Sequence, residues 1–156
     1  DLRQDVVDAA LLRTPVDGTD LTVREIARHL LVVAVPVEHR LAGRDVVELA
    51  DLAGEPFIGY PSQRMAVLRA AVDGACRQAG FAARVVQEAP DTHTLVSLVS
   101  AGVGVGLVLD PADELAVPGV VLRPLTSEHV VPLGLAWRTD NPNPVLPSLL
   151  AAAQAL

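Results

Sequence analysis

The stretch SLVSAGVGVGLVLDP, Ser97 to Pro111, is spaced for chemistry. Its Gly102, Gly104 and Gly106 alternate with valine, as in loops whose backbone amides cradle a phosphate. Such a loop follows a strand and opens a helix, so that the helix N-terminus faces the anion. Here the order is reversed. Leu95, Leu98 and Val99 recur at helical spacing before the glycines, and a short apolar run follows them. Gly102 therefore reads as the left-handed residue that ends a helix over 92–101, and Gly104 and Gly106 as strand glycines that let a helix pack closely. A helix C-terminus presents carbonyls, which repel phosphate.

Other chemistries fall away by residue type. All twelve basic residues are arginine, which removes a Schiff-base lysine and the phosphate-reaching lysine of a P-loop. His29, His39, His93 and His129 lack metal-ligand spacing, and Cys76 is the only cysteine, so neither a zinc cluster nor an intrachain disulfide is expected. Cys76 lies on the apolar face of its helix and reads as a buried, inert thiol. Ser97 and Ser100 have no nucleophile-elbow context. His39 reads as ordering a turn, and Trp137 and Tyr60 suit the core as well as a ligand cleft. No convergent set of titratable groups is present, so the chain reads as a binder without catalytic residues, metal or cofactor.

The elements that must position any site follow from composition and period. The chain has 156 residues, 51% hydrophobic but only 3% aromatic, one domain's worth with a core built from Ala, Val and Leu. Its net charge is −7, and acids outnumber arginines in residues 1–40, 41–123 and 124–156 alike. That argues against duplex DNA as a partner of this segment, which would need a basic face. No apolar run is long enough to span a bilayer, and no signal peptide is evident. With a lone cysteine, a reducing cytoplasm is the expected compartment.

Val7–Arg13 and His29–Pro36 read as buried strands, and Leu49 and Leu52 as a short helical turn. A strand over Pro56–Tyr60 precedes a helix from about Gln63 to Ala79, with Gly80 as its C′ residue. A strand over Ala83–Ala89 leads to the helix ending at Gly102, capped by Asp91 or Thr92. Strands follow at 104–109, 119–125 and Pro132–Arg138, and the chain closes as a helix over 145–156 with Pro147 near its first turn. Strand, helix, strand, helix, strand is the pattern of a parallel, doubly wound sheet, which binds ligands beyond the carboxyl ends of its strands.

With the elements placed, seven stretches in order resemble the effector-binding domain of LysR-type transcriptional regulators. They are VDAALLRTPVD, LLVVAVPVEHRLAG, VELADLAGEPFIGYP, CRQAGFAARVVQEAPDTHTLVSLVSAGVGVGLV, PGVVLRPL, LGLAWR and the closing helix. The resemblance implies an α/β fold of the periplasmic-binding-protein-like type II, two Rossmann-like subdomains joined by two crossing strands. Subdomain I would hold residues 1–40 and 124–156, and subdomain II residues 41–123. The family's DNA-reading winged helix-turn-helix and the first strand–helix–strand of subdomain I are expected to lie outside these residues. The implied function is sensing of a small-molecule effector, in a cytoplasmic homodimer or higher homo-oligomer without membrane contact, with DNA reached only through the missing domain. The alternative is a solute-binding protein of similar fold serving transport.

On this resemblance three stretches face the ligand. Arg13, Thr14 and Pro15 follow the first strand, and Arg13 would pair a carboxylate bidentately or, as readily, form a surface or interdomain salt bridge. Ser62, Gln63, Arg64 and Met65 lie between a strand and a helix N-terminus, where free N–H groups favour an anion; Ser62 would otherwise simply cap that helix. Thr92 and His93 open the next helix. Two arginines in a low-dielectric setting imply an effector with at least one carboxylate or comparable anionic group, and Met65, Val16 and Tyr60 an otherwise small, partly apolar one.

Overall fold

Glycine and proline punctuate this chain into short apolar runs, and each run between them becomes a strand or a helix. The computed structural model describes residues 2–4, 6–16, 18, 20–110 and 117–153. Among them are strands β1 (Ala9–Arg13), β2 (Leu21–Pro36), β3 (Pro56–Gly59), β4 (Arg84–Glu88), β5 (Gly106–Leu109), β6 (Val120–Pro124) and β7 (Val130–Arg138). The helices are α1 (Ala66–Gln78), α2 (Thr92–Ser100) and α3 (Leu146–Ala152), with short 3-10 turns at Leu2–Gln4 and Leu49–Leu52. The chain divides into two compact units, residues 1–29 with 131–156 and residues 30–130, linked through β2 and β7.

The second unit carries the parallel sheet. β3 pairs in parallel with β4 from Pro56↔Arg84 to Gly59↔Glu88. On its other edge Ile58 N–H donates to Val105 O at 2.8 Å and Val105 N–H to Pro56 O at 2.8 Å, a parallel bridge that continues into β5. The order β4–β3–β5, with α1 and α2 as its crossovers, is the doubly wound pattern expected. Right-handed crossovers running in opposite directions put the two helices on opposite faces. The C-terminal half of β2 lies antiparallel between β5 and β6. Its Val33, Ala34 and Val35 are fully buried, as the β-branched run predicts.

Both helices of this unit end as the glycines require. At the end of α2, Gly102 has φ +75, its N–H donates to Val99 O and Val103 N–H donates to Leu98 O, a Schellman motif. Gly80 (φ +88) closes α1 in the same way, with Phe81 N–H donating to Cys76 O. A Cβ on Gly106 would lie 2.5 Å from Leu95 Cδ2, so α2 packs directly on β5 there. Gly104 serves a different contact. Its Cβ would meet the Pro56 carbonyl oxygen of β3 at 2.3 Å, so strand rather than helix approaches it.

The first unit is thinner. β1 pairs antiparallel with β7, from Ala9↔Trp137 to Arg13↔Leu133, and β7 neighbours β2. Here several expectations are corrected. The first strand is not buried: Val7 is 42% and Leu11 61% exposed, because among the described residues of this unit a few strands and one two-turn helix are too little to cover both faces. β2 begins at Leu21 rather than His29. Its first half, LTVREIAR, has no buried face and carries Arg24, Glu25 and Arg28, so it shows no hydrophobic period to read. Arg24 instead lies over the Trp137 ring at 5.8 Å, and Thr22 and Thr139 hydroxyls meet at 3.0 Å. The closing helix is described from Leu146 to Ala152, and the expectation for 154–156 falls outside the described residues.

Candidate functional site

A parallel sheet delivers its loops to one end, and β3 and β4 deliver two of the three expected stretches there. β3 ends at Gly59, whose carbonyl accepts the N–H of Ala89 at 2.9 Å. Beyond this bond the chains part, one through Tyr60-Pro61 into the turn at Ser62–Arg64, the other through Pro90-Asp91 into α2. A side-chain bond holds the two exits together: the hydroxyls of Tyr60 and Thr92 lie 3.1 Å apart. Arg69 of α1 staples the same end. Its Nη1 donates to Tyr60 O at 3.0 Å and to Glu88 Oε1 at 3.3 Å, and its Nε to Asp73 Oδ2 at 2.8 Å.

The two helix N-termini at this end differ. At α2, Asp91 accepts the Thr94 N–H at 2.7 Å and the Thr94 hydroxyl at 3.1 Å, so Asp91, not Thr92, is the cap. These two bonds, the backbone one first, hold the Asp91 carboxyl below its ordinary value. A carboxylate already occupies the place where an anion would sit. α1 starts at Ala66, three residues later than the periodicity predicts. Met65 is its N-cap and no side chain caps it, so Ser62 does not cap this helix. Met65 is held by its N–H to Pro61 O at 3.0 Å, and its carbonyl takes the first helical bond from Arg69 at 2.8 Å. The first amides of α1 therefore keep their positive end uncovered by any side chain among the described residues. Beside them Ser62, Gln63 and Arg64 are exposed and Met65 half-buried.

Thr92 is half-buried and His93 exposed, with its carbonyl accepting the Ser97 hydroxyl at 2.8 Å. Tyr60 does not line a surface: it is 1% exposed, and burial pushes its phenol up to about 12. Sequence reasoning undervalued it, although its place at the carboxyl end of β3, two residues before Ser62, marked it. The Arg69 staple was missed altogether, since nothing in a helical arginine's spacing announces that it reaches two neighbouring loops.

Arg13, Thr14 and Pro15 lie in the other unit. Arg13 ends β1 half-buried, Thr14 N–H extends the ladder to Pro132 O at 3.2 Å, and the Thr14–Pro15 peptide is cis. Two cavities lie apart from these residues: one of about 360 Å³ in the first unit is lined by Arg3, Asp20, Arg138, Thr139 and Asp140, and one of about 310 Å³ in the second includes Glu48, Gln78 and His129. Neither contains an expected site residue. Cys76 is buried, its thiol pushed up to about 11 chiefly by that burial. His39 orders its turn, with Nδ1 accepting the Leu41 N–H at 3.3 Å. Among the described residues no cluster of His, Cys, Asp and Glu is arranged to hold a metal, and no helix is long and apolar enough to cross a membrane.

Comparison with known proteins matches these elements as a whole. The family model for the LysR substrate binding domain matches residues 1–156. The HTH-type transcriptional regulator ShiR of Corynebacterium glutamicum is 36% identical over 138 residues, 87% of this chain and 46% of that protein. This chain spans about half the length of the curated relatives it matches. Among solved structures, an OxyR mutant from Corynebacterium glutamicum superposes with TM-score 0.86 at 21% identity, covering 99% of this chain and 49% of that one. The BenM effector binding domain with its effector benzoate gives TM-score 0.84 at 22% identity, over 99% and 71%. The fold is thus that of the type II periplasmic-binding-protein-like effector-binding domains, and the chain belongs to the LysR substrate-binding domain family.

Proposed function

We propose that this domain senses a small-molecule effector carrying a carboxylate or comparable anionic group, on behalf of a cytoplasmic, DNA-binding transcriptional regulator. It binds its ligand without transforming it. The observation that carries this reading is the uncapped N-terminus of α1 at the carboxyl end of β3, flanked by Ser62, Gln63 and Arg64. Uncovered amides and a nearby guanidinium favour an anion, whereas Asp91 disfavours one at α2. Thr92 and His93 border the same end, and Met65 supplies apolar contact. Arg13, Thr14 and Pro15 remain candidates on the family resemblance.

The division expected from that resemblance, 1–40 with 124–156 and 41–123, belongs to the same proposal, with β2 and β7 as the strands that carry the ligand's effect from one part to the other. So does assembly as a homodimer or higher homo-oligomer. At net charge −7, this segment leaves DNA binding to another part of the regulator and makes no membrane contact.

The test is a thermal-shift screen of metabolites followed by calorimetry. A charge-assisted hydrogen bond contributes about 1.5–3 kcal/mol, so Arg64→Ala or Arg13→Ala should weaken binding roughly 10- to 150-fold. A tightest ligand that is neutral, or undiminished binding by both variants, would refute the anionic reading.

A further inference from the structure

A buried phenol at the carboxyl end of β3 has a consequence for the half-buried hydroxyl beside it. Tyr60 is 1% exposed, and its hydroxyl lies 3.1 Å from Thr92 Oγ1. Burial keeps its proton in place at any ordinary pH. Two arrangements of the shared bond are possible, and they differ in cost. If Thr92 donated, the phenol hydrogen would be left without a hydrogen-bond acceptor among the described residues, since Thr92 Oγ1 is the partner of that hydroxyl, and a buried donor left unmade is costly. If Tyr60 donates, its only hydrogen is used, and the Thr92 hydrogen is left for whatever lies on the open side of Thr92. The backbone cannot drift to relax this choice. The Tyr60 carbonyl is pinned by Arg69 Nη1 at 3.0 Å, and Ala89 N–H is bound to Gly59 O at 2.9 Å.

We propose that Tyr60 is a positioning residue that fixes Thr92 as a hydrogen-bond donor toward the ligand, so that the effector must present an acceptor oxygen at the N-terminus of α2 while its anionic group meets α1. This rests on the reading of the site given above and deepens it. Asp91 bars a full negative charge next to Thr92, so the acceptor there is a neutral one, a carbonyl, hydroxyl or ether oxygen. The class of ligand that fits is a small acid with a second oxygen function, such as a keto or hydroxy acid.

The direction of the bond can be read without any ligand, because Tyr60 is the chain's only tyrosine. The tyrosine ring doublet in the Raman spectrum separates a phenol that donates from one that accepts. Tyr60 should show the donor signature, lose it in Thr92→Val and keep it in Thr92→Ser. An acceptor signature in the parent protein overturns the proposal whatever the ligand proves to be. Binding is then measured with pyruvate and lactate against propionate, which lacks the second oxygen. The parent should prefer the first two by roughly tenfold, and Thr92→Val should abolish that preference. Tyr60→Phe, which removes one oxygen from a packed ring, should weaken the preference severalfold, and the double variant should bind no worse than Thr92→Val alone. Equal binding of all three acids by the parent, or an unchanged preference in Tyr60→Phe, overturns the positioning role while leaving the anion site intact. If none of the three acids binds while the donor signature is present, the proposed ligand class falls and only the internal Tyr60–Thr92 geometry stands.

Discussion

The two units of this chain use the same residue types to different effect. Residues 30–130 bury Val33, Phe57, Ile58, Leu95, Val99 and Leu107 almost completely, with helices against a parallel sheet. Among the described residues of 1–29 with 131–156 the buried apolar side chains are Leu2, Val131, Leu135, Ala136 and Leu146. There the five residues of β1, AALLR, are all half-buried or exposed. Apolar sequence supplies the material for a core, but a strand is buried only where further layers cover it. The more deeply buried unit is also the one that holds the uncapped helix and the Tyr60–Thr92 bond, so its site is framed by closely packed elements.

The largest effect that can break this comparison is a core truncation. Phe57 is 1% exposed with its ring 6.0 Å from that of Phe81, so Phe57→Ala should cost about 3–5 kcal/mol in chemical denaturation. Leu11→Ala should stay within about 0.5 kcal/mol, as for other surface positions. Comparable losses from both would mean that β1 is covered as closely as β3.

A pair of glycines sharpens the contrast at smaller scale. A Cβ on Gly106 would lie 2.5 Å from Leu95 Cδ2, and one on Gly134 2.7 Å from Val23 Cγ1. The clashes are alike and the neighbours are not: Leu95 is 0% exposed, Val23 37%. Gly106→Ala should therefore cost about 1–3 kcal/mol, since a packed side chain has nowhere to go. Gly134→Ala should cost less, because Val23 can turn aside. A reversed order of the two melting temperatures would contradict the packing difference.

The same contrast explains what the sequence made legible. In the second unit the periods, the two Schellman glycines and the strand–helix order all point to one fold, because the apolar residues of β3, β5 and the inner faces of α1 and α2 answer to a buried core. The first half of β2 was illegible for the opposite reason: Thr22, Arg24 and Glu25 lie on a strand that buries neither face, so no alternation betrays it. At the site, the loop residues Ser62–Met65 and Thr92–His93 were readable from their place between strand and helix. The cap at Met65 and the Arg69 staple were not, since both depend on where loops meet in space.

Amide exchange tests the open edge of β1. Thr14 N–H bonds to Pro132 O, and antiparallel pairs alternate, so the amides of Leu12 and Ala10 also face β7 while those of Ala9, Leu11 and Arg13 face away. The inward set should exchange more slowly by roughly tenfold or more. Uniform protection along β1 would show that its outer edge is paired.

The smallest effect separates the units by pH. Asp20 and Asp140, in the first unit, are held below the ordinary carboxylate value chiefly by hydrogen bonds from Arg3 at 2.8 Å and Arg138 at 2.7 Å. Asp91, in the second, is held down chiefly by the Thr94 amide. A carboxylate whose pKa is lowered on folding stabilises the fold fully above its unfolded value, 3.8 here, and that stabilisation is lost as pH falls through the lowered value. All three contributions should thus be intact at neutral pH and fade only below about pH 4. The ion pairs are exposed and screened by salt, whereas the cap bond is local to one helix turn. Raising the salt concentration should therefore flatten the acid response of amides in the first unit and leave that of α2 nearly unchanged. In Asp91→Asn, which keeps a capping oxygen without the charge, α2 should lose its acid response. Persistence of that response in Asp91→Asn would assign it to another group.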